Sequence, residues 1–260
     1  MGFDSGFKVA HTLSPEERLF LSHIDDSAAL ASKRGKPRFT RFLTTSQAAL
    51  CESYCRYIGA KYRFYGGFAS SERVMCGFFG EYDEPSDETF PITRLRFTVR
   101  PPSPLTHRDF LGAIMSLGVE REMIGDIVVC EDGAYTALCS EITDPVSMLE
   151  KVGRTGLKSV EVVYDDDISS VYRFEEISST VASLRLDALV STAVRLSREK
   201  ASQLVRQGLV SVSGAYDAQP ASTLEQGQIF SVRGYGRFIL DTVGNETKKG
   251  RIHIRILKYL

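Results

Sequence analysis

Residues 196–212 have the sequence LSREKASQLVRQGLVSV, and this stretch decides the fold of the last third of the chain. Ser197 is a preferred N-cap residue, and Gly208 is a preferred residue at the end of a helix. Three apolar residues between them share one helical face: Ala201, Leu204 and Val205. We therefore predict a helix over residues 198–207, followed by a strand over residues 209–213.

The opposite face of this predicted helix carries groups that suit an anion. Arg198 and Lys200 lie in the first turn, where free N–H groups and the helix dipole already favour negative charge. Gln203 and Arg206 follow on the solvent-facing side. Four phosphate-compatible side chains on one short helix favour binding of a polyanion.

The charge distribution points in the same direction. The 260 residues include 32 Lys and Arg against 33 Asp and Glu, a net charge of −1. Residues 181–260 hold 12 basic and 6 acidic residues, whereas residues 1–180 hold 20 and 27. A basic module on an acidic body is typical of proteins that bind phosphates, because bound Lys and Arg release condensed counterions. By itself, the charge leaves open a solvated basic face without a partner.

Hydrophobic patterns on both sides extend this module. Upstream, a stripe of apolar residues predicts a helix over residues 184–194. Downstream, we predict strands over residues 228–233 and 237–243 and a last strand with alternating faces. Its apolar residues face inward and its basic residues face outward: Ile252, Ile254 and Ile256 against Arg251, His253 and Arg255. His253 is therefore expected on the surface rather than in a catalytic site.

The middle of the chain alternates between strand and helix periods. Strands are predicted over residues 92–99, 126–130, 134–139 and 158–164, with helices over residues 106–117 and 144–152. The order βαββαβ predicts a ferredoxin-like α/β plait, within an α+β chain. This arrangement occurs in RNA-recognition domains but also in enzymes, so it does not decide the function. The aromatic motifs that stack bases in the common RNA-recognition module are missing from the sequence.

The first part of the chain is predicted to be helical. Ser14, Pro15 and Glu17 form a capping-box pattern for a helix over residues 15–32. A second helix is predicted over residues 46–58, followed by a turn at residues 65–68 and a strand over residues 74–79. The predicted organisation has three parts, residues 1–65, 66–168 and 181–260. The acidic residues on either side of a short strand-like segment, residues 171–174, predict a solvated connector before the basic module: Asp165, Asp166, Asp167, Glu175 and Glu176.

The five cysteines indicate reduced thiols. Their number is odd, and they form no Cys-x-x-Cys pair. Cys51 and Cys55 are four residues apart, and we interpret them as packing residues of a helix rather than metal ligands. We expect no cofactor and no catalytic metal. No run approaches 18 apolar residues and the N-terminus lacks a signal-peptide pattern, so we expect a cytoplasmic protein without a membrane partner.

The C-terminal residues resemble an S4 RNA-binding domain. The resemblance lies in Leu184-Arg185-Leu186-Asp187, in residues 196–212, and in Leu224, Gly227 and residues 231–233. It implies that two helices face structured RNA and that contacts are mainly to phosphates. The implied contact residues are Arg185, Ser197, Arg198, Lys200, Gln203, Arg206 and Gly208, together with Arg233, Arg237, Lys248 and Lys249.

A wider resemblance covers nearly the whole chain. Residues 105–121 (LTHRDFLGAIMSLGVER), residues 125–127 and the tail residues 231–238 and 247–250 resemble the YlmH family. This resemblance implies a ribosome-associated quality-control factor that binds the large ribosomal subunit carrying peptidyl-tRNA and supports C-terminal alanine tailing. The implied partners are ribosomal RNA, peptidyl-tRNA and other quality-control factors, with this chain as a monomer. A second RNA contact through His107, Arg108 and Arg121 stays open beside the alternative of a satisfied helix N-terminus.

Two other classes of function remain to be considered. S4 domains accompany RNA-modifying enzymes such as pseudouridine synthases. Residues 153–157 (GRTGL) share glycines with the synthase motif but not its aspartate, and the S4-like segment comes last rather than first. A protein-binding adaptor with an incidental basic domain is the other alternative. The sequence favours a non-catalytic RNA-binding protein over both.

Overall fold

A computed structural model describes residue 7 and residues 13–68, 71–100, 105–164, 174–212 and 218–259. The chain divides into two compact units, Met1–Val171 and Tyr172–Leu260, here called the N-terminal and C-terminal units. The described residues form six α-helices and thirteen strands, with the strands arranged in three antiparallel sheets. The expected mixture of helices and strands is confirmed. Among these residues, no helix combines the length and apolar content that a membrane span requires.

The ends of the first two helices are determined by capping residues close in sequence. Helix α1 spans Pro15–Arg34 and α2 spans Thr45–Ile58. Each begins with a capping box, in which the N-cap hydroxyl accepts a backbone N–H and the N3 side chain accepts one in return. Each ends at a glycine with positive φ, Gly35 or Gly59, a conformation that glycine adopts without steric cost.

A small sheet accompanies these helices, which the prediction of a purely helical first part missed. Strands β1 (Arg38–Phe39), β3 (Met75–Phe78) and β2 (Tyr62–Tyr65) pair in that order. All four residues of β3 are buried, so the strand shows no alternation of polar and apolar residues. Strands β2 and β3 lie on either side of the boundary predicted at residue 65, and they are neighbours in this sheet.

The second sheet contains the middle of the chain. Its elements are β4 (Ile92–Val99), α3 (His107–Met115), β5 (Ile124–Cys130), β6 (Gly133–Cys139), α4 (Thr143–Ser147), β7 (Lys151–Val152) and β8 (Thr155–Val163). The strand order is β5-β6-β4-β8-β7, with every pair antiparallel. Phe97 on β4 packs edge-to-face on Phe110 of α3 with ring centroids 5.7 Å apart.

Helix α4 is shorter than the predicted span of residues 144–152. The residues after it form a hairpin instead, in which Lys151 pairs with Gly156 and Val152 with Thr155. Gly153 takes a positive φ of 59° in the turn. Met148 is 78% exposed, so a longer helix would gain little from burial of its apolar side chain.

The third sheet belongs to the C-terminal unit. It consists of β9 (Phe174–Val181), β10 (Val210–Val212), β11 (Ile229–Val232), β12 (Gly236–Glu246) and β13 (Ile252–Tyr259), in the order β10-β11-β12-β13-β9. Helices α5 (Leu186–Val194) and α6 (Arg198–Arg206) share one apolar core with this sheet, in which Leu189, Phe230 and Ile256 are fully buried. The predicted inward face of the last strand agrees with the burial of Ile254 and Ile256.

Strand β9 is an addition to the predicted C-terminal module. It pairs with β13 along its whole length, from Val181 opposite Ile252 to Phe174 opposite Tyr259. Its sequence, FEEISSTV, buries only Val181, so the hydrophobic pattern gives little sign of a strand. The predicted connector residues Glu175 and Glu176 lie within β9, which corrects the prediction for them. Asp165, Asp166 and Asp167, residues 171–173 and the end of the strand predicted to residue 213 lie outside the described residues.

Candidate nucleic-acid interface

The N-terminus of α6 has the geometry expected from the sequence. Ser197 is the N-cap, and its Oγ accepts the backbone N–H of Lys200 at 3.3 Å. Ala201 and Val205 are buried on one side of the helix. The other side is exposed and carries the predicted contact residues Arg198, Lys200, Gln203 and Arg206. The N-cap at Ser197 and the alternation of apolar and polar residues along α6 therefore place four polar or basic side chains on one solvent-facing surface.

A buried carboxylate organises two of the predicted cations. Asp187 of α5 is 4% exposed. It accepts hydrogen bonds from Arg185 (Nη2 to Oδ2 2.8 Å, Nε to Oδ1 3.2 Å) and from Arg198 (Nη2 to Oδ1 3.1 Å). The Arg185 hydrogen bonds, helped by Arg198, hold the pKa of Asp187 below its ordinary value against the opposing effect of burial. The carboxylate is therefore ionised near neutral pH and fixes both guanidinium groups.

The two guanidinium groups stay accessible although they share this partner. The side chain of Arg185 is 39% exposed and that of Arg198 is 52% exposed. Each has donors beyond those that Asp187 accepts, since a guanidinium carries five N–H groups. Arg185, Asp187 and Arg198 are named the Asp187 clamp below. Its geometry can present two oriented cations to one or two neighbouring phosphates.

The turn between α5 and α6 is held in place by a left-handed residue and a side-chain hydrogen bond. Arg195 ends α5 with a left-handed φ of 55°, the one non-glycine residue with positive φ in the described chain. Ser191 Oγ donates to the carbonyl of Leu196 at 2.7 Å. This turn fixes the start of α6 relative to Asp187, which links the geometry of the clamp to the fold of the helix pair.

Other predicted contacts lie near the end of α6. Gly208 has a φ of 66° and leads the chain from α6 into β10. The backbone N–H of Arg233 donates to the carbonyl of Leu209 at 2.9 Å, so the β11–β12 turn lies beside this connection. Arg233 is exposed. The structure therefore brings Gly208 and Arg233 together, as a shared RNA surface would require.

The remaining predicted contacts of this unit are more dispersed. Arg237 lies at the start of β12, with its guanidinium carbon 4.7 Å from the ring centre of Tyr259. Lys248 and Lys249 are exposed in the loop that follows β12. Because β12 is 11 residues long, this loop lies roughly 30 Å from the Arg233 turn. Lys248 and Lys249 are thus at the opposite end of the sheet and not part of the same local cluster.

The N-terminal unit contains the second predicted contact, around the start of α3. Asp109 accepts from the backbone N–H and the hydroxyl of Thr106, both at 2.7 Å, which caps the helix. His107 and Arg108 are exposed in the first turn. Although the residue as a whole is exposed, partial desolvation of its ring lowers the pKa of His107, and the charge of Arg121 lowers it further. The histidine is therefore neutral near neutral pH.

Arg121 itself is largely engaged in the fold. It is partly buried, and its guanidinium donates to the carbonyl of Ile124. Desolvation lowers its pKa, and Asp126 opposes that effect.

Sequence reasoning gave no role to Arg73, which joins the two sheets of the N-terminal unit. Its Nε donates to the carbonyl of Ile124 at 3.0 Å and its Nη2 to that of Phe42 at 2.9 Å. Asp126 accepts the backbone N–H groups of Glu72 and Arg73, at 2.6 and 3.1 Å. These partners are 31 to 54 residues apart in sequence, so no local pattern could reveal them. Asp187 was likewise not assigned a role, although its position beside Arg185 is a usable signal.

Comparison with known proteins gives three matches. A family model described as "Putative RNA-binding domain in YlmH" matches residues 85–166. The chain is 28% identical over 240 residues to the Bacillus subtilis (strain 168) protein named "Ribosome-associated protein quality control protein P2", covering 91% of this chain and 93% of that one. It also resembles the solved structure of "Cell division protein ylmH from Streptococcus pneumoniae", with 26% identity and a TM-score of 0.51 over 60% of this chain and 96% of that one.

Proposed function

With the resemblance to the YlmH family confirmed over most of the chain, we propose that this protein is a non-catalytic RNA-binding factor of ribosome-associated quality control. In this proposal it binds the large ribosomal subunit that carries a stalled peptidyl-tRNA. By holding the tRNA in place, it supports the addition of C-terminal alanine tails. It acts in the cytoplasm as a monomer, together with other quality-control factors.

The Asp187 clamp is the observation that carries the proposal. An ionised carboxylate that is 4% exposed holds two accessible arginines beside the capped N-terminus of α6. Rigid guanidinium groups next to a helix N-terminus bind phosphates well, because little side-chain entropy is lost on binding. The surface suits backbone phosphates of folded RNA better than the edges of individual bases.

The arrangement of secondary structure supports the same proposal. Four strands of the second sheet follow the order β5-β6-β4-β8, which agrees with a ferredoxin-like plait built from βαββαβ. In the C-terminal unit, α5, α6 and β10 follow one another at the offsets expected of an S4 domain. We propose that the S4-like unit binds ribosomal RNA through Arg185, Ser197, Arg198, Lys200, Gln203, Arg206, Gly208 and Arg233, with weaker contributions from Arg237, Lys248 and Lys249.

The middle domain supplies a second, weaker contact in this proposal. His107 and Arg108 are exposed at the start of α3, and Arg121 is partly buried between α3 and β5. Two modest contacts on one chain reinforce each other, because the first raises the effective concentration of the second. The protein would therefore bind tightly where both surfaces are offered, as on a large subunit that still holds a tRNA.

Co-sedimentation with purified ribosomal subunits tests the proposal. We expect the protein to pellet with large subunits, to pellet more completely when they carry peptidyl-tRNA, and to stay in the supernatant with small subunits. A protein that remains free in every mixture would refute the proposed role. Raising the salt concentration should weaken the binding steeply if phosphate contacts dominate.

The absence of catalysis is tested separately. The purified protein is incubated with ribosomal RNA or tRNA, and the digested nucleosides are analysed by mass spectrometry. We expect unmodified nucleosides. A pseudouridine or other modified base that forms only with the protein present would replace the proposal by an RNA-modifying activity.

A further inference from the structure

Three cysteines from distant parts of the sequence meet in the core of the N-terminal unit. Cys51 and Cys55 lie one turn apart on α2, and Cys76 lies on β3. The three sulfurs lie within 4.8 Å of one another, and those of Cys51 and Cys55 are 3.8 Å apart. All three residues are fully buried. The sequence spacing accounts for the first two as a helical pair, but the third joins them only through the fold.

The geometry suits coordination of one ion. A metal–sulfur bond is about 2.3 Å long, so two sulfurs on the same ion lie about 3.8–4.0 Å apart at tetrahedral or trigonal angles. The observed spacing of 3.8 Å between Cys51 and Cys55 falls within this range. The sulfur of Cys76 lies within 4.8 Å of the sulfurs of Cys51 and Cys55. It would therefore need to move by less than about 1 Å to join them on one ion. The site is thus nearly preorganised.

The surrounding structure holds the three residues in place. The hydroxyl of Thr40 accepts the backbone N–H of Cys76 at 2.9 Å, and β3 is paired on both sides by β1 and β2. Around the sulfurs lies an apolar core that includes Leu21, Ile24 and Phe78. Among the described residues, no carboxylate, imidazole or fourth thiol joins the three sulfurs within that distance. The donor set is therefore sulfur alone.

We propose that Cys51, Cys55 and Cys76 form a binding site for one soft, thiophilic metal ion, with Cu(I) as the best fit. Thiolate ligands select Cu(I) and Zn²⁺ among the common ions, and structural zinc sites use four protein ligands. Cu(I) is stable with two or three sulfur ligands. On binding, the S–H bonds of the coordinating thiols break, S–Cu bonds form and the protons pass to solvent, without electron transfer. The interpretation of Cys51 and Cys55 as packing residues describes the metal-free state.

The experiment is a titration of the full chain with Cu(I) in anaerobic, reducing buffer against a chromogenic Cu(I) chelator. The titrated protein carries Cys130→Ser, because Cys130 is a partly exposed thiol that would bind the ion by itself. Since the cluster is buried, loading is done both on the folded protein and during refolding. We expect about one equivalent of retained Cu(I) per chain and a higher Tm in the loaded protein.

Cysteine variants test whether Cu(I) is bound by the three-cysteine cluster or by another thiol. Cys76→Ala and Cys51→Ala should each reduce retained Cu(I) at least tenfold. The matched control is Cys139→Ala, which removes a buried thiol outside the cluster and should leave retention unchanged. Circular dichroism checks that each variant is folded. Failure to retain Cu(I) by either loading route, or equal retention in the cluster variants and the control, would overturn the proposal.

A measurement without mutation keeps the proposal falsifiable if the cluster variants do not fold. X-ray absorption of the Cu(I)-loaded protein should show a coordination shell of sulfur atoms alone. A shell with nitrogen or oxygen neighbours would place the ion elsewhere. A parallel titration with Zn²⁺ is included, and tight retention of Zn²⁺ without retention of Cu(I) would overturn the assignment to Cu(I).

Discussion

The start of α6 and the start of α3 carry similar residues but use them differently. At α6, Asp187 bonds Arg198 and Arg185 yet leaves their side chains 52% and 39% exposed. At the start of α3, Asp109 caps the helix, and Arg121, which lies between α3 and β5, donates to a backbone carbonyl and is desolvated. The same residue types therefore present oriented cations to solvent at α6, whereas around α3 they form hydrogen bonds that stabilise the fold. A count of basic residues alone does not distinguish the two.

Removal of cations from α6 should have the largest effect. We expect Arg198→Ala combined with Arg206→Ala to weaken binding to the large subunit at least tenfold. The slope of log affinity against log salt should fall by about one unit for each lost phosphate contact. The control, Lys151→Ala with Arg154→Ala, removes two exposed charges from the β7–β8 hairpin. Equal loss of binding in both double variants would show that α6 has no special role.

Removal of the buried acid should affect both folding and binding. In Asp187→Asn the two arginines lose a buried, charged partner, and we expect about 2 kcal/mol of lost stability. Binding to the large subunit should also weaken, by several-fold. Chemical denaturation and co-sedimentation measure the two effects.

Asp241→Asn is the matched control for that change, because Asp241 also pairs with an arginine, Arg255, but on the sheet and with 26% exposure. We expect a smaller loss of stability and unchanged binding in this control. Wild-type stability in Asp187→Asn would contradict a structural role for the clamp.

The pH dependence of stability tests the charge on Asp187. Its folded pKa is below the value in the unfolded chain, about 3.9. The resulting stabilisation is complete above the unfolded value and is lost as the pH falls through the folded value. The difference in stability between the wild type and Asp187→Asn should therefore be constant from pH 7 to about pH 5 and shrink below about pH 4. A constant difference down to pH 2 would show that ionisation is not responsible.

Changes at Arg108 on α3 and at Arg121 after it should have the smallest effect on binding. We expect Arg108→Ala to weaken binding to large subunits with peptidyl-tRNA by about twofold and to leave stability unchanged. Arg121→Ala should instead lower stability, because its hydrogen bond to the carbonyl of Ile124 is lost. Because the pKa of His107 is lowered, binding should not change between pH 8 and pH 7 through this residue. The comparison fails if Arg121→Ala reduces binding as strongly as the α6 double variant while remaining fully stable.

Local signals made much of this structure predictable. Capping residues such as Ser14 and Ser197 placed helices to within a few residues, and alternation in residues 252–256 gave the buried face of β13. The solvent-facing side of α6 followed from the same periodicity. These features depend on residues within four or five positions of one another, where the geometry of the helix or strand determines which side chains share a face.

Features that depend on distant residues were missed. Strand β9 has a polar sequence and exists because β13 offers a partner, and Cys76 joins Cys51 and Cys55 only when β3 packs on α2. Arg73 could not be singled out because its acceptors lie on other elements. For Asp187, the neighbouring Arg185 was visible in the sequence, but its burial and its bond to Arg198, 11 residues away, were not.

The pairing of β9 with β13 has a consequence for synthesis of the protein. Arg251, just before β13, donates a hydrogen bond to the hydroxyl of Thr180 on β9, 71 residues earlier in the chain. During translation, β9 therefore leaves the ribosome well before β13, the strand it pairs with, has been made. At 5–20 residues per second, this interval lasts roughly 4–14 s. Five of the eight residues of FEEISSTV are polar or acidic, including the adjacent pair Glu175 and Glu176. Charged side chains on an unpaired edge oppose pairing with other chains, which lowers the tendency of β9 to aggregate during this interval.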